Sequence, residues 1–209
     1  MLKDEQGGLK YEEGITTVTF FKGDFTAAAS ALKVQFAAVV AANPWLAGRL
    51  VKTKEGVVLR HPTVPTDSDI GAIFTSDQSS KPVSTEEKYV DTCAKLFKEK
   101  KFVVGMGYYL IGSPDPVVKL SIVGCSGGSA NSFAVIFSMS HAIGDAKTHY
   151  DVLKMTSPAV GTTGVRTLVS ERIQAFSTAS KEQCGKEELA WMEKPSTAIM
   201  YEVSKESEF

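Results

Sequence analysis

The residues with the clearest capacity for chemistry lie in one stretch, Phe137-Ser-Met-Ser-His-Ala-Ile-Gly-Asp-Ala146. A neutral imidazole titrates near physiological pH, which makes His141 a candidate general base. It stands just past an unbroken apolar run, Phe133 to Met139. Such a run is what a strand buried on both faces displays. A histidine at the end of that strand sits at the border of a sheet, where ligand crevices form. Four residues on, after Ile143-Gly144, Asp145 can fold back toward the backbone and fix the loop. On spacing alone the commoner outcome is plainer: a loop histidine followed by a helix-capping aspartate.

The other candidates carry less. His149 follows His141 by eight positions on an expected helix and finds no third ligand at zinc spacing, so it reads as a solvated helix histidine. His61, before Pro62, reads as a loop residue. Ser126-Gly-Gly-Ser129 lacks the lysine of a phosphate-binding loop and reads as a flexible connection. Cys93, Cys125 and Cys184 are widely spaced and odd in number, which gives neither a disulfide framework nor a zinc set, so no metal is expected. Cys125 reads as a small buried apolar residue and Trp45 as core.

Composition bounds the function classes. The net charge of −1 leaves no basic footprint for nucleic acid or an anionic membrane. A hydrophobic fraction of 43% with 22% charged residues belongs to a folded chain rather than a disordered one. No stretch reads as a run of the roughly 18 apolar residues that span a bilayer. The first residues, Met-Leu-Lys-Asp-Glu-Gln, hold acids where a signal peptide would be apolar, so the expected location is cytoplasmic and no transmembrane segment is expected.

These residues need elements to position them. Ile15 to Phe21, rich in β-branched and aromatic residues, reads as a strand. Phe25 to Ala42 reads as an amphipathic helix capped by Asp24 or Thr26 and stopped by Asn43-Pro44. Leu46 to Val51 and Gly56 to Arg60 form a hairpin. His61 to Ser84 reads as a long surface connection, and Ser84-Thr-Glu-Glu87 resembles a capping box opening a helix to Lys98. Met106 to Ile111 and Val117 to Val123, around Gly112-Ser-Pro-Asp-Pro116, read as a second hairpin. Strand Phe133 to Met139 and helix Thr148 to Met155 follow, then helices over Val165 to Ala179 and Glu187 to Glu193. The order predicts an α/β fold with a mixed, mostly antiparallel sheet covered by helices.

Two blocks together carry a family resemblance. Asn43-Pro-Trp-Leu-Ala-Gly-Arg-Leu50 and His141-Ala-Ile-Gly-Asp145, in this order and separation, resemble blocks of the CoA-dependent acyltransferase superfamily. That superfamily includes the plant BAHD acyltransferases, peptide-synthetase condensation domains, wax ester synthases and chloramphenicol acetyltransferase. The resemblance spans roughly residues 15 to 160 and matches the N-terminal lobe of a two-lobed member. It implies a single chloramphenicol acetyltransferase-like lobe and a reaction moving an acyl group from acyl-CoA, as co-substrate, to a small-molecule hydroxyl or amine. His141 would be the base, and Asp145 would turn away from substrate to hold the loop, usually by an ion pair with an arginine. The chain departs from the pattern at Ser140, where some members carry a second histidine, and at Ala146, in place of the motif glycine. It also carries no D-F-G-W-G block after the histidine motif.

The resulting expectation is a lobe over 1–164 and a helical extension over 165–209 that begins a second lobe or a crossover. A two-walled tunnel needs a partner, so the chain is expected to self-associate or pair with a second lobe through the face bearing His141, with Trp191 as a docking anchor. The alternative is a catalytically inactive half-lobe, retained for binding or assembly or left as a truncated product.

Overall fold

The computed structural model describes residues 13–54, 56–127, 131–165, 178–179 and 182–183. Strand β1 (Ile15–Lys22) leads into helix α1 (Phe25–Ala42), whose first turn is capped by the Asp24 carboxylate accepting from the Thr26 and Ala27 amides. A 3-10 turn (Pro44–Ala47) delivers the chain into a separate hairpin, β2 (Arg49–Thr53) and β3 (Gly56–Arg60). After helix α2 (Asp67–Ile73) come the short strands β4 (Phe74–Asp77) and β5 (Val83–Ser84), then helices α3 (Tyr89–Glu99) and α4 (Gly107–Leu110). Strands β6 (Val118–Ser126) and β7 (Ser132–Met139) and helix α5 (Ala146–Met155) complete the described elements.

The main sheet runs β1-β7-β6-β4, with β5 pairing farther along β6. The long ladders, β1 with β7 and β6 with β7, are antiparallel, whereas the short β4 and β5 run parallel to β6. This is the mixed, mostly antiparallel sheet expected. Helices cover both faces. On one, Phe36, Val39 and Val40 of α1, Ile70 and Ile73 of α2 and Val152 and Met155 of α5 pack with Leu120, Phe137 and Met139. On the other, Leu96 of α3 joins Phe102 and Val103 against Val123, Cys125, Ala134 and Ile136. Alternation along β7 explains the split, since successive side chains point to opposite faces.

Three expectations are corrected. The segment from His61 to Ser84 is not a plain connection: Thr66 and Asp69 form a reciprocal capping box that starts α2, and Phe74 to Asp77 enters the sheet. Ser84-Thr-Glu-Glu87 opens no helix, because Ser84 pairs in β5 and the helix begins at Tyr89, with Glu87 accepting from Thr92 and Lys95 instead. Met106 to Ile111 is no strand. The turn α4 forms there, and β6 makes its hairpin with β7.

A fourth correction concerns α1. Its mean hydropathy of 1.5 over 18 residues meets, by length and composition, what a membrane-crossing helix needs. In the fold it lies on the sheet and buries Ala29, Phe36, Val39 and Val40. The helices expected over 165–179 and 187–193, the 165–209 extension and Trp191 fall almost entirely outside the described residues.

The Asn43 to Leu50 block is built to hold its neighbours together. The buried Asn43 amide donates to Val39 O (3.0 Å) and Thr163 O (2.8 Å) and its oxygen accepts from the Val165 amide (2.6 Å). Pro44 opens the 3-10 turn, and Trp45, Leu46 and Leu50 enter the core. At Gly48 a Cβ would lie 2.7 Å from Leu59 Cδ1 and 2.9 Å from Trp45 O, so glycine lets the hairpin close. The Arg49 guanidinium donates to the Ala47, Gly48 and Pro114 carbonyls, and burial lowers its pKa. Replacing Asn43 by Ala removes three hydrogen bonds, the one to Val39 O buried and the other two part-buried, and is expected to cost about 2 kcal/mol in urea unfolding at neutral pH, with the fold otherwise retained.

Candidate functional site

Register sets where the site lies. Met139, the last residue of β7, is paired with Ile15 on one side and Val118 on the other. The chain then leaves the sheet in a turn. The Ser140 amide donates to Val117 O (2.9 Å), Ser140 Oγ accepts from the Ala142 amide (3.3 Å), and the Ile143 amide closes on Ser140 O (3.1 Å). Ser140, where a doubled motif would place histidine, is fully buried and shapes the turn instead. His141 is half-buried at its head.

Asp145 begins α5. Its carboxylate accepts from the Thr148 amide (2.8 Å) and Thr148 Oγ1 (2.9 Å), and its carbonyl accepts the first helical bond, from the His149 amide (2.9 Å). It is an N-cap residue in extended backbone. Gly144 is needed for close approach: a Cβ there would lie 2.9 Å from Thr148 Cγ2 and 3.1 Å from Met139 Cε. Ala146, the departure from the motif glycine, opens the helix in solvent. The two residues singled out from spacing therefore share one turn, with Asp145 holding the helix start and His141 lying between it and the strand.

His149 is a correction. It is not solvated but fully buried. Its Nε2 lies 2.8 Å from Thr17 Oγ1 of β1, and its ring centroid lies 4.7 Å from that of Phe137 and 5.2 Å from that of Tyr150. Nδ1 is buried without a hydrogen-bond partner. An orphaned lone pair costs less than an orphaned N–H, so the favoured tautomer carries its proton on Nε2 and donates it to Thr17. The signal was present in the sequence. His149, Val152 and Met155 recur every three residues on the buried face of α5. Burial, and next the nearby His141, lower the His149 pKa to about 4.

The remaining candidates settle elsewhere. His61 is an exposed loop residue whose Nδ1 lies 2.9 Å from Pro62 O. Cys125 is buried in β6 and burial raises its thiol pKa, the opposite of a nucleophile's need. Among the described residues, no group of three His, Cys, Asp or Glu side chains is placed to hold a metal ion. A cavity of about 350 Å³ lies at the far end of the sheet, between Asp24, Phe25, Gln78 and Asn131. Asp24, its one carboxylate, is already capping α1.

No family model matches the chain, and no curated protein does. Solved structures do. The chain is similar to holo T3CT (12% identity over 85% of this chain and 37% of that one, TM-score 0.53). Lower-scoring matches include SgcC5 from Streptomyces globisporus (11% identity, 84% and 37%, TM-score 0.49) and TRI101 of F. graminearum complexed with coenzyme A and T-2 mycotoxin (15% identity, 75% and 37%, TM-score 0.49). At these identities the similarity is one of fold: a single chloramphenicol acetyltransferase-like lobe, as expected. The chain spans 37% of the length of each of these solved structures.

The depressed His149 pKa makes stability depend on pH. The unfolded chain binds this proton near the ordinary value of 6.5, the folded chain only near 4, so acid favours unfolding. The contribution is intact above pH 6.5 and is lost as pH falls toward 4, by about 3 kcal/mol in total. Urea unfolding at steps between pH 7 and 4.5 measures it, and His149→Phe is expected to remove that part of the slope.

Proposed function

We propose that this lobe serves acyl transfer, with His141 as the general base. The observation that carries the reading is the division of labour in one turn. Asp145 is committed to capping α5, which leaves the half-buried imidazole as the proton-transfer group at the end of the central strand. The match of Asn43 to Leu50 and His141 to Asp145 with the acyltransferase blocks supports acyl-CoA as donor and a small-molecule alcohol or amine as acceptor.

In this reading neutral His141 accepts the proton of the acceptor O–H or N–H as that atom attacks the thioester carbonyl. A carbon–oxygen or carbon–nitrogen bond forms, the carbon–sulfur bond breaks, and the imidazolium returns its proton to the departing CoA thiolate. No acyl-enzyme is required. Holding donor and acceptor in register with water excluded accounts for much of the rate in such a reaction. The second wall of the tunnel comes from a second lobe or a second copy of the chain, in a cytoplasmic setting.

A second reading is an inert half-lobe of the same fold, used for binding or assembly. The two readings part in one assay. With acetyl-CoA and a panel of simple alcohols and amines, the wild-type chain is expected to release free thiol. His141→Ala is expected to lower that rate by about 10² to 10⁴ with an unchanged unfolding midpoint. Unchanged turnover in the variant removes His141 from the mechanism. A wild-type chain that releases no CoA, and is monomeric by light scattering across a concentration series, favours the inert lobe.

A further inference from the structure

The turn over 140–145 has two anchors, one at each end. On the strand side, Met139 sits in the ladder between Ile15 and Val118, and the Ser140 amide is bonded to Val117 O. On the helix side everything depends on where α5 is seated, because Asp145 is its cap and the Asp145 carbonyl accepts from the His149 amide. Helix α5 meets the sheet through His149, Val152 and Met155. Val152 and Met155 pack into the core, and Met155, at the far end of the helix, also accepts from Gln35 Nε2 of α1 (2.7 Å) and from the Thr163 amide (3.2 Å), which ties that end to α1 and the following segment rather than to the sheet. His149 alone of the three makes a directional bond to the sheet, to Thr17 of β1. It is also the buried residue of α5 nearest the turn, one helical turn from Asp145.

We propose that Thr17 and His149 are positioning residues for the His141 turn: their hydrogen bond clamps the first turn of α5 to β1 and so sets where residues 140–145 carry His141. The clamp is over-determined in a way a merely packed residue would not be. The His149 ring is wedged against Phe137 at 4.7 Å, which fixes its plane, and Thr17 fixes the direction of Nε2. Thr17 stands on β1, which among the described strands pairs only with β7, so β1 carries the position of the helix back to β7 through the ladder Ile15↔Met139 and Thr17↔Phe137. The same two strands thus hold both anchors of the turn. Among the described residues, the groups facing His149 are Thr17 from β1, Phe137 from β7, Tyr150 from its own helix and His141 from the preceding turn, and no carboxylate is among them. A buried imidazole in such surroundings stays neutral, and its orientation rather than its charge is what it supplies. The inference deepens the proposed function and rests on His141 acting as the base.

The test reads the position of His141 without needing turnover. The full chain is treated with diethyl pyrocarbonate at pH 7, and the rates at His141 and His61 are read by peptide mass spectrometry, with the exposed, distant His61 as internal reference. Thr17→Val removes the hydroxyl and keeps the β-branched shape; it is expected to raise the His141 to His61 ratio at least about threefold, by loosening the turn. Thr17→Ser, which restores the hydroxyl, is expected to stay within about 1.5-fold of wild type. His149→Phe keeps a ring against Phe137 but lacks Nε2; it is expected to behave like Thr17→Val and serves in its place should that variant fail to fold. In the acyl-transfer assay, Thr17→Val is expected to lower kcat about tenfold with KM little changed, as misplacement of a catalytic group does. Ratios unchanged from wild type in both folded variants overturn the clamp. A wild-type chain without transfer activity overturns the proposed function instead, and the modification ratio still decides the clamp.

Discussion

Strand β7 is bonded on both edges and covered on both faces, and the rest of the lobe follows from that confinement. Such a strand admits almost nothing polar along its length, because an unpaired polar group there would cost its full desolvation. Its one buried hydroxyl obeys the rule. Ser138 Oγ accepts from the Val104 amide (3.0 Å) and lies 2.8 Å from Thr16 Oγ1, joining β1, β7 and the 102–104 segment at a single atom. Polar chemistry is displaced to the strand's end, where the chain first leaves the sheet. The His141 turn stands at that place because it is where side chains can first be polar without penalty.

The Asn43 to Leu50 block reaches the His141 turn through the backbone. Leu50 O accepts from the Gly112 amide (2.8 Å), so the hairpin braces the segment that enters β6. That segment supplies Val117 O, the acceptor for the Ser140 amide. At its other end, Asn43 binds α1 to Thr163 and Val165, beyond α5. Two blocks far apart in sequence are therefore mechanically linked, one presenting an imidazole and the other fixing the frame around it.

The two histidines of this region stand eight residues apart in different environments. His141 heads a turn at the border of the sheet and is half-buried. His149 lies eight residues later beneath aromatic rings, where burial suppresses protonation and leaves a neutral hydrogen-bonding ring. Proximity adds to this, since a charge on one would oppose a charge on the other.

Much of this was legible from the sequence, and for local reasons. The apolar run of β7, the Asp24 cap and Asn43-Pro44 stop of α1, and the placing of His141 and Asp145 past a buried strand all depend on neighbours within a few residues. What the sequence left open depended on distant partners. Val83 and Ser84 are a strand only because Cys125 and Ser126 lie alongside, and Met106 to Ile111 loses its strand because β6 is taken by β7 on one edge and by β4 and β5 on the other. His149 shares the three-residue spacing of Val152 and Met155, but which strand that stripe meets, and that Thr17 of β1, more than a hundred residues earlier in the chain, gives its ring a partner, is set only when α5 is laid against β1. Local propensity and capping are determined by residue types in sequence order. Edge occupancy, burial and the pairing of polar groups are determined by which surfaces meet, and only the tertiary structure decided those.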